Sequence, residues 1–264
     1  MRPVMASVFY LFSATASLCF PVIADAGRPL VIDDAPPVAP GNLEVELGFS
    51  QAQPHGGGRD QAGPVATVAY GLIDRIELGL SIQRINQDSR NEAPLKGFED
   101  LHLTTKILAV AESPVLPAVS LSLDIKLPTA NRRKGLTTGK SDQDLMLILT
   151  KSFAPLAAHL NFGYRIVNSP RDAKLKNVLH GGIAADWAFR PQWTLVGEIF
   201  GSSREAKGER NDAAFQLGLS YAVIAGLVLD AAMGRSFRSE ATQVEGTVGL
   251  TWTWDVLKAL KGQP

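Results

Sequence analysis

Charged side chains and histidines recur at every second position within the apolar stretches of this 264-residue sequence. Side chains of these types can bind a metal ion, transfer protons as general acids and bases, or line a polar passage. One face of the alternating pattern carries Glu44, Glu46, Arg75, Glu77, Asp100, His102, Lys106, Asp124, Lys126, His159, Arg165, Asp186, Glu198, Asp230 and Glu245. Acidic and basic residues are mixed in this set, without a ring of one sign, so we expect no strong preference between anions and cations.

The histidines are the first candidates for metal binding or catalysis. His102, His159 and His180 lie on the same face, but without the carboxylate or cysteine partners at fixed spacing that a metal site requires. His159 shares its face with Asn161, yet no serine stands in a recognisable nucleophile context. We therefore predict no metal, no cofactor and no catalytic residue, and we expect that the protein is not an enzyme.

A strict alternation of apolar and polar residues determines where these side chains point. Between residues 75 and 83 the apolar residues stand at 76, 78, 80 and 82, which is the period of a β-strand. About twelve such segments follow one another between residues 42 and 254, and short turns alternate with longer polar loops between them. This pattern predicts an all-β fold, a transmembrane up-and-down antiparallel β-barrel of about 12 strands spanning 42–254.

Aromatic residues near the strand ends support a membrane barrel, because such barrels carry aromatic girdles at both interfaces. The predicted girdle consists of Phe49, Tyr70, Trp187, Trp193, Tyr221, Trp252 and Trp254. A soluble periplasmic sandwich or lipocalin-like barrel also alternates and remains the competing fold. A membrane helix over 213–229 is disfavoured by its period of two and by its glycines. Residues 143–151 are apolar on both faces, so the pattern does not tell which face is inward.

The termini indicate export. Residues 1–26 combine Arg2, an apolar stretch and the sequence Ala24-Asp25-Ala26, which predicts a signal peptide cleaved after Ala26. The single cysteine lies inside it, so the mature chain has no disulfide. Residues 27–41 are proline-rich and predict an extended periplasmic lead-in; residues 255–264 predict a periplasmic C-terminal tail. The 26 basic and 26 acidic residues balance, which gives no reason to expect nucleic-acid binding.

Segments 28–35, 40–48, 70–79, 123–129, 135–144 and 150–153, in this order, resemble one known family. It is the outer-membrane transporter-like β-barrel family labelled "putative meta-pathway phenol-degradation protein". The resemblance covers most of the mature chain. It implies an outer-membrane barrel that moves small, often aromatic, organic compounds, and it implies no catalytic residues.

From these observations we expect a porin-like barrel in the outer membrane of a Gram-negative bacterium, through which small aromatic or apolar organic solutes pass passively. The alternatives are a closed structural or adhesion barrel whose outer loops bind a partner and, third, a barrel-embedded lipid enzyme. Loops or the lead-in could plug a barrel of this size. Other expected partners are outer-membrane lipid and lipopolysaccharide, near the exposed run at 132–134. The pattern does not predict an oligomeric state.

Overall fold

In the computed structural model of the protein, the described residues are 27–53, 58–89, 94–168, 175–205, 211–238, 244–256 and 258. The predicted signal peptide, with Ala24 and Ala26, and most of the predicted C-terminal tail lie outside them. The strands are β1 (Asn42–Gln53), β2 (Gly58–Ile73), β3 (Ile76–Ser89), β4 (Leu95–Phe98), β5 (Leu101–Val110), β6 (Ala118–Leu127), β7 (Asp142–Phe153), β8 (Leu156–Ile166), β9 (Val178–Arg190), β10 (Trp193–Ser202), β11 (Asp212–Ile224), β12 (Leu227–Ser236) and β13 (Val244–Asp255).

The strands form one closed antiparallel barrel. Successive strands pair with each other, β1 pairs with β13, and the β2–β3 pairing completes the ring. The short β4 and the longer β5 pair with successive parts of the same edge of β3, at 84–87 and 76–81, so together they occupy one position in the wall. The wall therefore has twelve positions, which confirms the predicted up-and-down barrel of about 12 strands. Among the described residues, no helix has the length and apolar character needed to cross a membrane.

Short and long connections alternate around the ring. One end, the turn end, has the connections 74–75, 111–117, 154–155, 191–192 and 225–226; the other, the loop end, has 54–57, 90–94, 128–141, 167–177, 203–211 and 237–243. The sequence pattern predicts polar loops at 53–63 and 86–97, but the β2–β3 pair extends into both of them, since Gly58 pairs with Ser89. Strand pairing needs only backbone groups, so the ladder continues after the side-chain pattern has ended.

The outer face of the barrel is apolar and the inner face is polar. Exposed large apolar residues on the outer face include Leu103, Leu121, Leu145, Leu147, Leu160, Phe162, Ile183, Leu195, Ile199, Leu217, Leu229 and Val248. Buried polar residues on the inner face include Glu77, Lys106, Ser120, Thr150, His159, Asn161, Glu198, Gln216 and Asp230. A soluble barrel hides its apolar face, so this arrangement is that of a barrel surrounded by lipid.

Strand β7, whose facing the sequence left open, has apolar residues on both faces for a structural reason. Leu145 and Leu147 point outward and are exposed, whereas Ile148 points inward and is fully buried. Inside the barrel Ile148 packs with Ala118 of β6 and with Ala35, which belongs to the lead-in. The barrel thus contains a small apolar patch that receives another part of the chain.

The outward apolar face leads to a first prediction. Leu160 lies at the middle of β8 and is 44% exposed, whereas Leu116 lies in a turn-end connection and is 55% exposed. A lysine near the middle of the bilayer costs about 2–4 kcal/mol, falling toward zero at the interface. We expect Leu160→Lys to lower the free energy of unfolding from lipid vesicles by that amount, measured by urea titration, and Leu116→Lys to leave it nearly unchanged. Equal losses for both variants would contradict the lipid-facing assignment.

Candidate functional site

The first described part of the chain lies inside the barrel. The lead-in, residues 27–41, follows the inner wall before it joins β1, and its backbone is held by inward-facing side chains. The sequence predicted an extended segment but gave no indication of this path, apart from the general possibility of a plug. The contacts are given below in the order of the chain.

The N-terminal end of the lead-in is held by Arg28. Its guanidinium donates to Oδ1 of Asp230 on β12 at 3.2 Å and to Oγ1 of Thr247 on β13 at 2.9 Å. Gly48 and Gly249 stand directly opposite each other on β1 and β13. A Cβ atom on either glycine would overlap the guanidinium. The glycine pair therefore leaves the slot through which Arg28 reaches its partners.

The next turn of the lead-in is held by Glu198 of β10, which is buried. The Glu198 carboxylate accepts hydrogen bonds from the backbone N–H of Val31 at 2.9 Å and of Ile32 at 2.9 Å. Gln216 of β11 donates to the same carboxylate at 3.2 Å and to the carbonyl of Pro29 at 2.6 Å. Hydrogen bonds to a charged acceptor are the stronger kind, so Glu198 is the central anchor of the segment.

A charged cluster follows at the middle of the lead-in. Nζ of Lys106 on β5 lies 3.2 Å from Asp33, 3.7 Å from Asp34 and 3.8 Å from Glu77 of β3. The amide of Asn161 on β8, oriented to satisfy both groups, accepts from the backbone N–H of Asp33 at 2.7 Å and donates to its carbonyl at 2.9 Å. The buried ammonium is thus compensated by three carboxylates.

The last part of the lead-in is held by hydroxyl groups and a carboxylate. The N–H of Ala35 donates to Oγ1 of Thr150 on β7 at 2.8 Å, and Oγ of Ser120 on β6 donates to the Ala35 carbonyl at 2.5 Å. The N–H of Val38 donates to Glu77 at 2.8 Å. Side chains of β3, β5, β6, β7, β8, β10, β11, β12 and β13 therefore bind the lead-in, which makes it an internal plug.

The lead-in divides the lumen into two cavities. The outer cavity, of about 780 Å³, is lined at the loop end by residues such as Phe200, Arg204 and Arg238. The inner cavity, of about 730 Å³, is lined at the turn end by residues such as Glu46 and Thr253. Val31 and Ile32 line both cavities, so the lead-in is the partition between them. Each volume lies in the range of small-molecule pockets.

Arg75, one of the predicted lumen residues, does not belong to the lumen. It occupies the turn at 74–75, is exposed, and donates to the carbonyls of Leu108 and Ala109 at 3.4 and 3.3 Å. The sequence pattern misassigned it because Arg75 directly precedes Ile76 and continues the alternation without a break.

The other predicted lumen residues make the lumen more acidic than we expected. Of these fourteen, nine are Asp or Glu, three are Lys or Arg, and two are His. The three cations are all paired: Lys106 as above, Lys126 with Asp142 and Arg165 with Asp144. Asp142 and Asp144 lie on the inner face of β7 and were missed because that strand's facing was unknown. Within the described residues, carboxylates therefore outnumber cations along the inner wall.

Each histidine on the inner face contacts a different aspartate. His102 lies 2.7 Å from Asp124, His180 lies 2.8 Å from Asp144, and His159 lies 3.2 Å from Asp186. The pairs are on separate parts of the wall. In the part of the chain that the structure describes, no group of three or more His, Cys, Asp or Glu converges as a metal site would require.

One of these pairs extends into a chain that resembles a catalytic triad. Nδ1 of His159 lies 3.0 Å from the Thr150 hydroxyl, and its Nε2 faces Asp186. Thr150, however, is 2% exposed and receives the N–H of Ala35. None of these three residues is among the described residues that line the two cavities. The hydroxyl therefore holds the lead-in and has no space beside it for a substrate carbonyl.

Asp100 organises the longest described outer connection. Asp100 accepts from the N–H of Ala130 at 2.9 Å and from the Thr137 hydroxyl at 2.6 Å. A short 3₁₀ turn at Arg132–Lys134 lies between these contacts, with three exposed basic side chains. The loop is thereby fixed to the barrel rim, and its three cations are exposed.

The predicted girdle residues share the outer face, and six of them lie close to the turn end. Trp193 and Tyr221 are direct neighbours on β10 and β11, with ring centroids 4.5 Å apart. Trp252 and Trp254 approach each other to 5.1 Å near the end of β13. Phe49 lies toward the loop end of β1 and is the seventh. The turn end thus has a band of aromatic side chains at its outer surface.

These features together define the class of the protein: a transmembrane β-barrel with an apolar exterior, a charged interior and a chain segment folded into its lumen. The chain belongs to the family described as "Putative MetA-pathway of phenol degradation", which matches residues 27–254. Among curated proteins, none matches this sequence.

Solved structures share the fold at low sequence identity. An outer membrane channel from Pseudomonas putida F1 has a TM-score of 0.67 and 14% identity, over 84% of this chain and 98% of that chain. The KdgM porin has a TM-score of 0.54 and 11% identity, over 80% and 99%. LpxR from Salmonella typhimurium has a TM-score of 0.50 and 10% identity, over 80% and 99%. At such identities the likeness establishes the fold.

The anchoring of the lead-in leads to a second prediction. Glu198→Gln removes the charge that accepts the N–H groups of Val31 and Ile32. A hydrogen bond to a charged group contributes about 1.5–3 kcal/mol, and each 1.4 kcal/mol is tenfold in an equilibrium constant. We expect backbone hydrogen exchange at 31–32 to be faster by about tenfold or more, measured by mass spectrometry. Glu245→Gln on β13, the matched control, should leave this exchange unchanged; equal effects would refute the anchor.

Proposed function

We propose that the protein is an outer-membrane channel through which small organic solutes, aromatic and apolar ones among them, pass down their concentration gradients. The observation that carries this proposal is the lumen itself, with two cavities of small-molecule size that the lead-in separates at Val31 and Ile32. The family's description refers to phenol degradation. Proteins of the same fold include an outer membrane channel and a porin, the latter also in complex with oligogalacturonate. The signal peptide at 1–26 directs the chain to export and is cleaved from it after Ala26.

Passage requires the lead-in to move. Its backbone is joined to the wall by hydrogen bonds and ion pairs, all of which can exchange for water or solute. When the part around Val31 and Ile32 leaves Glu198, the outer and inner cavities become continuous. The step needs no energy source, because the solute moves down its gradient and the lead-in returns to the same partners. We assign no catalytic role to the lumen residues, since Thr150 and His159 serve the lead-in.

The charge of the lumen determines which solutes enter. The described lining of the outer cavity has Arg165, Arg204 and Arg238 against two carboxylates, whereas that of the inner cavity has six carboxylates against Arg28 and Lys106. The excess of carboxylates along the low-dielectric wall of the inner cavity attracts cations and repels anions. Uncharged solutes, such as phenols at a pH below their pKa, are neither repelled by the carboxylates as anions are nor held by them as cations are. We therefore infer that small organic anions are the poorest solutes of this channel.

Contacts with the membrane follow from the outer surface. The aromatic band at the turn end fits the interface of the inner leaflet. The exposed cations at 132–134 lie at the loop end and are suited to phosphate groups of lipopolysaccharide. The tail from 255 onward leaves the barrel on the turn end, which in this orientation is the periplasmic side.

Single-channel recording tests the proposed function. We expect the refolded mature protein to open rarely in planar bilayers, and Glu198→Gln to raise the open probability about tenfold because one charged anchor is lost. Phenol added on the loop side should interrupt the open current. Glu245→Gln is the matched control for opening frequency.

A second candidate function is favoured by the seated lead-in itself. The channel is refuted if the mature protein and the Glu198→Gln variant both fold but neither ever conducts. Folding is judged by a change of electrophoretic migration on heating. The result would instead support a closed structural or adhesion barrel whose outer loops bind a partner.

The sign of the lumen charge gives a further prediction. In a KCl gradient, we expect the reversal potential of the Glu198→Gln channel to have the sign of the potassium equilibrium potential, as it does in a cation-selective channel. Adding Glu245→Gln should move it toward zero, because a lumen carboxylate is lost. Adding Glu112→Gln, in the turn-end connection outside the lumen, should not. A chloride-selective channel would contradict the acidic lumen.

A further inference from the structure

The inner cavity has an unbalanced set of charges. Its charged lining consists of Arg28, Lys106, Asp33, Asp34, Glu44, Glu46, Glu77 and Asp255. Lys106 is surrounded by the carboxylates described above, and the guanidinium of Arg28 reaches Asp230. Glu44 and Glu46 stand on the same face of β1 beside this group. Glu44 accepts from the Thr253 hydroxyl at 2.7 Å, and Glu46 accepts from the backbone N–H of Arg28. Both donors are neutral, so a further cation would be stabilised here.

Gly27 lies within this acidic environment. A methyl group built on its Cα would come 3.6 Å from Oδ1 of Asp33 and 3.9 Å from Oε1 of Glu46. The nitrogen of Gly27 is bonded to the same Cα, about 1.46 Å away. Rotation about the Cα–C bond of Gly27 therefore brings this nitrogen to the position of that methyl group, within reach of both carboxylates. Arg28, the next residue, is fixed in its glycine slot, which keeps Gly27 in place.

Removal of the signal peptide changes the chemistry of this nitrogen. Hydrolysis of the Ala26–Gly27 bond adds the hydroxyl of water to the Ala26 carbonyl carbon and a proton to the Gly27 nitrogen. The product is an α-amine, which takes up a further proton at neutral pH. An amide N–H, with one donor and no charge, is thus replaced by an ammonium with three donors.

We propose that Glu46 and Asp33 form a binding site for a primary ammonium group, and that its occupant is the α-ammonium of Gly27 after signal-peptide cleavage. The new cation adds to the positive charges of Arg28 and Lys106 among six carboxylates. It ties the first residue of the mature chain to β1 and so completes the seating of the lead-in. The unprocessed chain lacks this charge, so its lead-in is held less firmly.

Amine labelling tests this site without requiring that the barrel conduct. The mature protein is first analysed by mass spectrometry to establish that its first residue is Gly27. Two samples, one folded in detergent and one unfolded in urea, are then exposed briefly to an amine-reactive ester near neutral pH. The extent of labelling of the N-terminal peptide is measured in each. Only the unprotonated amine reacts with the ester, and ion pairing that favours the ammonium by one pKa unit lowers the unprotonated fraction about tenfold. We therefore expect the folded α-amine to react about tenfold more slowly than the unfolded one.

Substitutions separate ion pairing from simple burial. Glu46→Gln keeps the size of the side chain and removes its charge. We therefore expect the folded variant to be labelled almost as fast as the unfolded protein. Glu245→Gln, at the other end of the lumen, should keep the slow rate. Asp33→Asn serves as the second variant if Glu46→Gln fails to fold. A mature chain that begins at another residue, or slow labelling that persists in the folded carboxamide variants, would overturn the proposal.

Discussion

A backbone segment without secondary structure can enter a barrel only if the wall supplies its hydrogen bonds. An unpaired buried N–H or C=O group costs about as much as a lost hydrogen bond or more. The lead-in has no strand or helix of its own, so between residues 29 and 38 its backbone hydrogen bonds to the wall are made with side chains, and only near β1 does Gly41 donate to a backbone carbonyl, that of Gly71. Glu198 accepts two adjacent N–H groups, Thr150 and Ser120 bind both sides of Ala35, and Gln216 binds Pro29. Much of the inner wall is therefore a template for the lead-in.

This dependence accounts for the distribution of charge. The chain as a whole is neutral, yet the described inner wall is rich in carboxylates and the exposed turn at Arg132–Lys134 is basic. Carboxylates are acceptors only, and at Glu198 and Glu77 they meet N–H groups that the lead-in must satisfy. The same groups set the electrostatic field that an entering solute experiences. In the channel that we propose, plug binding and solute selection thus use one set of residues.

The sequence was sufficient for the barrel and insufficient for its contents. Alternation with a period of two predicted twelve wall positions and the apolar exterior, because both depend on local geometry alone. The path of the lead-in could not be predicted, since it has no periodicity and each of its partners is far away in the sequence, as Val31 and Glu198 are. Arg75 was misplaced because a turn interrupted the strand without interrupting the pattern. The limits of β2 and β3 were misjudged because strand pairing uses backbone groups and does not require an alternation of apolar and polar side chains.

Two signals in the sequence did point to an occupied lumen. One is the inward apolar face of β7, where Ile148 has no function in a water-filled channel and is explained by Ala35. The other is the pair Gly48 and Gly249 on the inner faces of neighbouring strands. Glycine weakens a strand interior and is retained where another group approaches closely. Together they would have indicated a segment lying across β1, β13 and β7, although not which segment.

The magnitudes suit a plug that can be displaced. Ordering each residue of the lead-in costs about 1–2 kcal/mol of backbone entropy, and each hydrogen bond to a charged partner returns about 1.5–3 kcal/mol. Arg28, Glu198, Lys106 and Glu77 supply such partners at spaced positions along the segment, while the intervening residues contribute mainly cost. Each charged contact therefore offsets the ordering cost of only about one to three residues. The loss or addition of one charged contact at either end therefore shifts the seated population severalfold, so that in the channel that we propose single charged contacts of the lead-in control the opening of the lumen.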